Sequence, residues 1–76
     1  MPITFFWDFF GPRAEGTARH FLHHLDERLR RDGVAGCTTA VESPLAAQWT
    51  VSCRTPDEAA EPLRAALRPR REQAEP

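Results

Sequence analysis

Three histidines lie close together in this chain, and two of them have the spacing of a metal-binding pair. His20 and His24 are four residues apart, so on a helix their imidazoles would face the same side, with Glu27 beside them. The glutamate that acts as general base between the histidines of a zinc-protease motif is absent. We expect an exposed helix face with no bound metal and no cofactor. Metal or small-molecule binding by His20, His24 and Glu27 is the alternative.

The two cysteines fall in neighbouring segments that suit the strands of a hairpin, where facing positions can approach disulfide distances. The N terminus has no basic leader or small-residue cleavage site, and the chain has no CxxC motif. We therefore expect Cys37 and Cys53 to be reduced thiols of a cytoplasmic protein, packed as small apolar residues rather than acting as a redox pair.

Asp8 is the most isolated polar residue, because it lies between Trp7 and Phe9 in an aromatic segment. An acid in such surroundings could be catalytic. A charge within an aromatic strand also limits uncontrolled pairing with other chains, and we favour that role. The chain has no glycine-rich phosphate loop, nucleophile elbow or paired-carboxylate pattern, so we assign no catalytic residue.

The composition indicates one small domain without a strongly charged partner. The 76 residues have a formal net charge of -1, and all 10 basic residues are arginine, a bias typical of a GC-rich genome. The basic cluster of Arg64, Arg68, Arg70 and Arg71 is interspersed with acidic residues, whereas nucleic-acid binding requires a clustered basic excess. No apolar run approaches the roughly 20 residues that span a bilayer. We therefore expect neither nucleic acid nor a membrane as partner.

Aromatic residues are concentrated near the N terminus, in a segment that we interpret as the first strand. With a period of two, the face expected to meet the core is formed by Ile3, Phe5, Trp7 and Phe9. The other face is formed by Thr4, Phe6, Asp8 and Phe10. Because a small domain rarely leaves two phenylalanines exposed, we predict that Phe6, Asp8 and Phe10 form a self-association interface.

A helix is predicted to follow Gly11 and Pro12. Its start is open between Gly11 as N-cap and Thr17, because Gly16 weakens the first turns, and Gly33 ends it. Residues 37–42 and 48–54 then form a hairpin in which Cys37 lies opposite Cys53.

A second helix is predicted to begin at Pro56. Pro62 interrupts it, which predicts either a kink or a short turn at 56–61 followed by a helix from Pro62 to about Arg68. Pro69 ends the helix. We expect a single α+β domain over residues 1–69 and a disordered C-terminal tail over residues 70–76.

The order of these elements predicts a βαββα two-layer sandwich, with two helices on one face of a three-stranded sheet. In topology it resembles a ferredoxin-like fold that lacks its last strand. A right-handed crossover predicts the strand order 1-3-2, with the first strand beside the third and parallel to it. The first strand would then be an open edge of the sheet.

The function expected from the sequence is that of a small, non-enzymatic, bacterial-type protein. It would act as a homodimer through its first strand, or as an accessory subunit that binds another protein. Metal or small-molecule binding by the His20 and His24 helix face is the alternative, and an enzyme whose site is completed by a dimer is a third hypothesis.

Overall fold

The aromatic segment forms the strand β1, Ile3–Phe10. Its side chains point alternately to the core and to the opposite face of the sheet. Phe5 and Trp7 are buried, whereas Phe10 on the opposite face is 67% exposed. A strand with side chains alternating between its faces buries one set only when other elements cover that side. The face predicted to meet the core is therefore confirmed.

The structure is a computed structural model that describes residues 1–75. After β1 the elements are α1 (Ala14–Arg31), β2 (Thr38–Leu45), β3 (Gln48–Thr55), α2 (Asp57–Leu67) and β4 (Arg71–Ala74). The four strands form one antiparallel sheet in the order β2-β3-β1-β4. Both helices pack on the sheet face that carries Phe5 and Trp7. The α+β class is confirmed.

The segment 70–76 contains a fourth strand where we expected a disordered tail, so the prediction of a three-stranded sheet is wrong. β4 pairs with β1 in an antiparallel register that places Phe6 opposite Arg71. The N–H of Arg70 also donates a hydrogen bond to the carbonyl of Phe6 at 2.9 Å. β1 is therefore an inner strand between β3 and β4, and not the open edge that we expected. Pro76 lies outside the described residues.

The direction of β3 also differs from the prediction. β1 and β3 are adjacent as expected, but they run antiparallel, with Trp7 opposite Val51. The crossover through α1 returns the chain so that β2 runs in the same direction as β1, and the hairpin then reverses β3. The predicted order of the first three strands is correct, and the predicted parallel pairing is wrong.

The hairpin has a different register from the predicted one. Thr39 lies opposite Cys53, and Cys37 lies outside β2, so the predicted opposition of the two cysteines is wrong. β2 extends through Pro44 with an irregularity before Leu45, and the reversal occurs at Ala46 and Ala47, where Ala47 has a φ of 60°. The shift is an even number of residues, so each residue keeps its predicted face.

The structure shows where α1 begins, which the sequence left open. It begins at Ala14, near Gly11 rather than at Thr17, although its N-cap is Arg13 and not Gly11. Gly11 has a φ of 100°, which favours glycine, and its N–H donates to the carbonyl of Ala47 at 2.9 Å. At the other end Gly33 has a φ of 67° and ends the helix as predicted.

α2 runs without interruption through Pro62, so the separate turn at 56–61 is not formed. Pro56 is the N-cap and not the first helical residue, and Arg68 ends the helix in the left-handed conformation. Ala60 and Leu63 face the sheet and are buried.

The core lies between the sheet and the helices. Its buried members are Phe5, Trp7, Ala18, Leu25, Leu29, Val51, Cys53, Ala60 and Leu63. The Trp7 indole N–H donates to the Leu67 carbonyl at 3.0 Å, which links β1 to the end of α2. Within residues 1–75, no helix is both long enough and apolar enough to cross a membrane.

Candidate interaction surface

The sheet face opposite the helices is covered by no other element among the described residues, and we call it the uncovered face. On β1 it carries the predicted interface residues Phe6, Asp8 and Phe10. The residues that flank β1 on this face are Gln48, Thr50, Ser52 and Arg54 on β3 and Arg71 and Gln73 on β4. The structure therefore places the three predicted residues side by side on one surface.

Asp8 is enclosed within this surface. Its side chain is only 8% exposed. The Arg71 guanidinium donates to both of its carboxylate oxygens at 2.9 Å, and the Thr50 hydroxyl donates at 2.8 Å. The hydrogen bond from Arg71 lowers the pKa of Asp8 from 3.8 to about 2, against the opposing effect of burial. Asp8 is therefore an ionised carboxylate that fastens β4 to β1, and its charge is already paired.

Phe6 and Phe10 provide the apolar part of the uncovered face. Phe6 is half-buried, and the guanidinium carbon of Arg71 lies 4.5 Å from the centre of its ring. Phe10 lies at the end of β1 and is 67% exposed. Arg71 therefore covers Phe6 while it neutralises Asp8, and Phe10 is left exposed.

Only the first half of β1 is covered by β4. The pairing ends at Phe6, so Trp7–Phe10 has no strand partner on that side within residues 1–75. The Phe6 carbonyl points toward β4, and backbone groups alternate in direction along a strand. The backbone groups of Asp8 and Phe10 therefore point to the same side, and we call this segment the free half-edge of β1.

The C-terminal strand is held by ion pairs that sequence reasoning missed. Arg54 on β3 pairs with Glu75, and Arg64 on α2 donates to both oxygens of Glu72 at 2.9 Å. These hydrogen bonds lower the pKa of Glu75 and of Glu72 below the ordinary value of a glutamate. The charges that suggested a solvated tail are therefore partners of the sheet and of α2. Residues 70–75 have no alternation of apolar and polar residues that could have predicted a strand.

The histidines lie on the exposed surface of α1. His20 and His24 are brought together, with their Nε2 atoms 3.1 Å apart, as their spacing predicted. Glu27 does not contact the Nε2 atoms of this pair. Its carboxylate lies 3.4 Å from His23 Nε2 and 3.4 Å from His24 Nδ1, the other ring nitrogen of His24. Across residues 1–75, no group of three or more histidine, cysteine, aspartate or glutamate side chains is placed to hold a metal ion.

The two thiols differ in their surroundings. Cys53 is fully buried in the core, with its sulfur 3.3 Å from the Thr55 hydroxyl oxygen, whereas Cys37 is half-buried. Burial raises the pKa of the Cys53 thiol to about 11. The thiolate of Cys53 is therefore disfavoured, and Cys53 has the surroundings of a packing residue rather than of a nucleophile.

Comparison of the chain with known protein families, with curated proteins and with solved structures gives no match.

Proposed function

We propose that this small, non-enzymatic protein acts as a homodimer whose two copies meet along β1. The interface is formed by Phe6, Asp8 and Phe10 on the uncovered face, together with the free half-edge. The observation that carries the proposal is Phe10, a large aromatic residue that is 67% exposed beside unpaired strand backbone. Apolar surface and unpaired strand edges are the features that associating proteins bury.

A second copy of the chain suits this surface because both features are self-complementary. Two β1 half-edges can pair in antiparallel fashion about a two-fold axis, which places the same residues on both sides of the interface. The charges beside the phenylalanines are paired within each chain, as Asp8 with Arg71 and Arg54 with Glu75. Bringing two copies together therefore adds no unpaired charge at this point.

The size of the domain favours association as well. A domain of this length buries only about 60 to 65% of the surface that its unfolded chain exposes, so its core supplies little excess stability. Burying Phe10 and the half-edge against a second copy would add both apolar contact and backbone hydrogen bonds.

The test compares two matched variants by light scattering after size exclusion. Phe10→Ser removes the exposed aromatic residue of the interface and should shift the protein toward monomer while its circular dichroism stays native. Leu45→Ser is the control, because Leu45 is also 67% exposed but lies on β2, two strands away from the free half-edge of β1. Equal masses for both variants and wild type would contradict the proposed interface.

The accessory-subunit hypothesis uses the same surface for another protein. It predicts a monomeric chain whose Phe10→Ser variant loses a partner that the Leu45→Ser variant retains. The cytoplasmic location expected from the sequence remains a prediction.

A further inference from the structure

A cleft lies on the other side of the molecule, between the C-terminal half of α1 and the end of α2. It has a volume of about 630 Å³ and is separate from the uncovered face of the sheet. Its apolar walls are Phe21 and Leu25 from α1 and Leu67 from α2. A volume of this size is in the range of sites that hold small organic ligands, which run from about 300 to 1,000 Å³.

The rim of the cleft is positively charged. Three arginines line it, Arg28, Arg30 and Arg31, against one carboxylate, Glu27. Glu27 lies 3.4 Å from His23 and from His24, and His24 also lines the cleft. Asp32, which follows α1, lies 3.5 Å from the Nε atom of Arg28 and 3.6 Å from that of Arg31. With Asp32 included, the arginines still exceed the carboxylates by one.

Arg28 carries an unused hydrogen-bond donor. Its Nε atom is buried beside the Asp32 carboxylate, 3.5 Å away and without a hydrogen bond, whereas 39% of the side chain is exposed, so the outer N–H groups are the donors that a ligand in the cleft can reach. A guanidinium presents a planar pair of N–H donors that matches the two oxygens of a carboxylate.

We propose that the cleft binds an amphipathic organic anion, a monocarboxylate with an apolar tail of roughly seven carbons. The carboxylate accepts hydrogen bonds from Arg28, and the tail lies on Phe21, Leu25 and Leu67. The excess of arginine outweighs the negative end of the α1 dipole, which would otherwise oppose an anion at this position.

The test is a titration of the ¹⁵N-labelled protein with octanoate, followed by amide chemical shifts. The proposal predicts saturable shifts confined to residues 21–31 and to the end of α2. Octanol, which has the tail without the charge, and butanoate, which has the charge with a short tail, should each bind more weakly. Equal binding of octanol, or shifts centred on Phe6 and Phe10, would overturn the proposal.

Two variants locate the site. Arg28→Gln should weaken octanoate binding by about tenfold, because it removes the charge-assisted hydrogen bonds. Leu67→Trp should block binding by filling the cleft, and the unliganded spectra of both variants show whether they are folded. Arg13→Gln is the control, since Arg13 is an exposed arginine at the opposite end of α1 and should leave the affinity unchanged. Unchanged binding in a folded Arg28→Gln protein would exclude this site.

Discussion

Arg71 donates hydrogen bonds to both carboxylate oxygens of Asp8 at 2.9 Å, across a sequence separation of 63 residues. This contact joins the last strand to the first and also places a guanidinium over Phe6. It explains why an aspartate is tolerated in an aromatic strand, because the carboxylate is paired within the sheet rather than directed at solvent. The backbone pairing beside this contact makes β1 an inner strand from Ile3 to Phe6.

Stability should therefore depend on the ionisation of Asp8. Its pKa is about 2 in the folded protein against an ordinary value of 3.8, so its contribution is fully present above pH 3.8 and is lost as the pH falls toward 2. Because Arg71 is 53% exposed, we expect the contribution to be on the order of 1 to 2 kcal/mol rather than more. Asp8→Asn should lower the free energy of unfolding by this amount at neutral pH.

The measurement is urea denaturation of wild type and Asp8→Asn at several pH values between neutral and pH 2. The two proteins should converge in stability at the acid end. Glu42→Gln, at an exposed position on β2, is the control and should show no such convergence. A constant difference between Asp8→Asn and wild type at every pH would show that the charge of Asp8 is not what stabilises the fold.

Removal of residues 70–76 should destabilise the protein. The truncation uncovers the β1 edge from Ile3 to Phe6 and leaves Asp8 without Arg71. We expect a lower melting temperature and greater light scattering, because an exposed aromatic strand edge promotes aggregation. A truncated protein with the wild-type melting temperature would mean that β4 contributes no stability.

The sequence predicts β1 but does not predict β4. The alternation of Phe5 and Trp7 with Phe6 and Phe10 predicts β1 and its faces, because that information is local. Arg71–Ala74 has the composition of a solvated tail, and its partners lie far away in the sequence, so no local rule predicts its pairing. The residues of the proposed interface could be named from β1 alone, but the ion pair between Asp8 and Arg71 could not be predicted.

The predicted register of the β2–β3 hairpin is wrong for a similar reason. Ser43 and Pro44 are typical turn residues, so the sequence favours a loop over residues 43–47, between the two predicted strands. The structure uses Pro44 within β2 and reverses at Ala46 and Ala47 instead. The Ser43 hydroxyl contacts the carbonyls of Leu45 and Gln48 at 3.0 and 2.8 Å, which supports this irregular end.

The cysteines should react with iodoacetamide at different rates. Cys53 is buried and its pKa is raised to about 11, so it should be protected in the folded protein. Cys37 is half-buried and should react first. Mass spectrometry of peptides from the partly alkylated protein checks this, and a repeat in denaturant should make both react quickly. Preferential labelling of Cys53 in the native state would contradict its position in the core.

Protein purified without an affinity tag should contain no stoichiometric zinc or nickel. His20 and His24 are close enough to share an ion, but Glu27 contacts the wrong nitrogen of His24 to complete a three-ligand site. Elemental analysis measures the bound metal. A stoichiometric ion that disappears in His20→Ala or His24→Ala and persists in His23→Ala would favour the metal-binding alternative.

Sedimentation equilibrium of the wild-type protein tests association through β1 directly. The average mass should rise with concentration to twice the chain mass of 8.6 kDa and should fall back toward one chain mass in the Phe6→Ser/Phe10→Ser variant. A wild-type mass that stays at one chain up to about 1 mM would contradict association through β1.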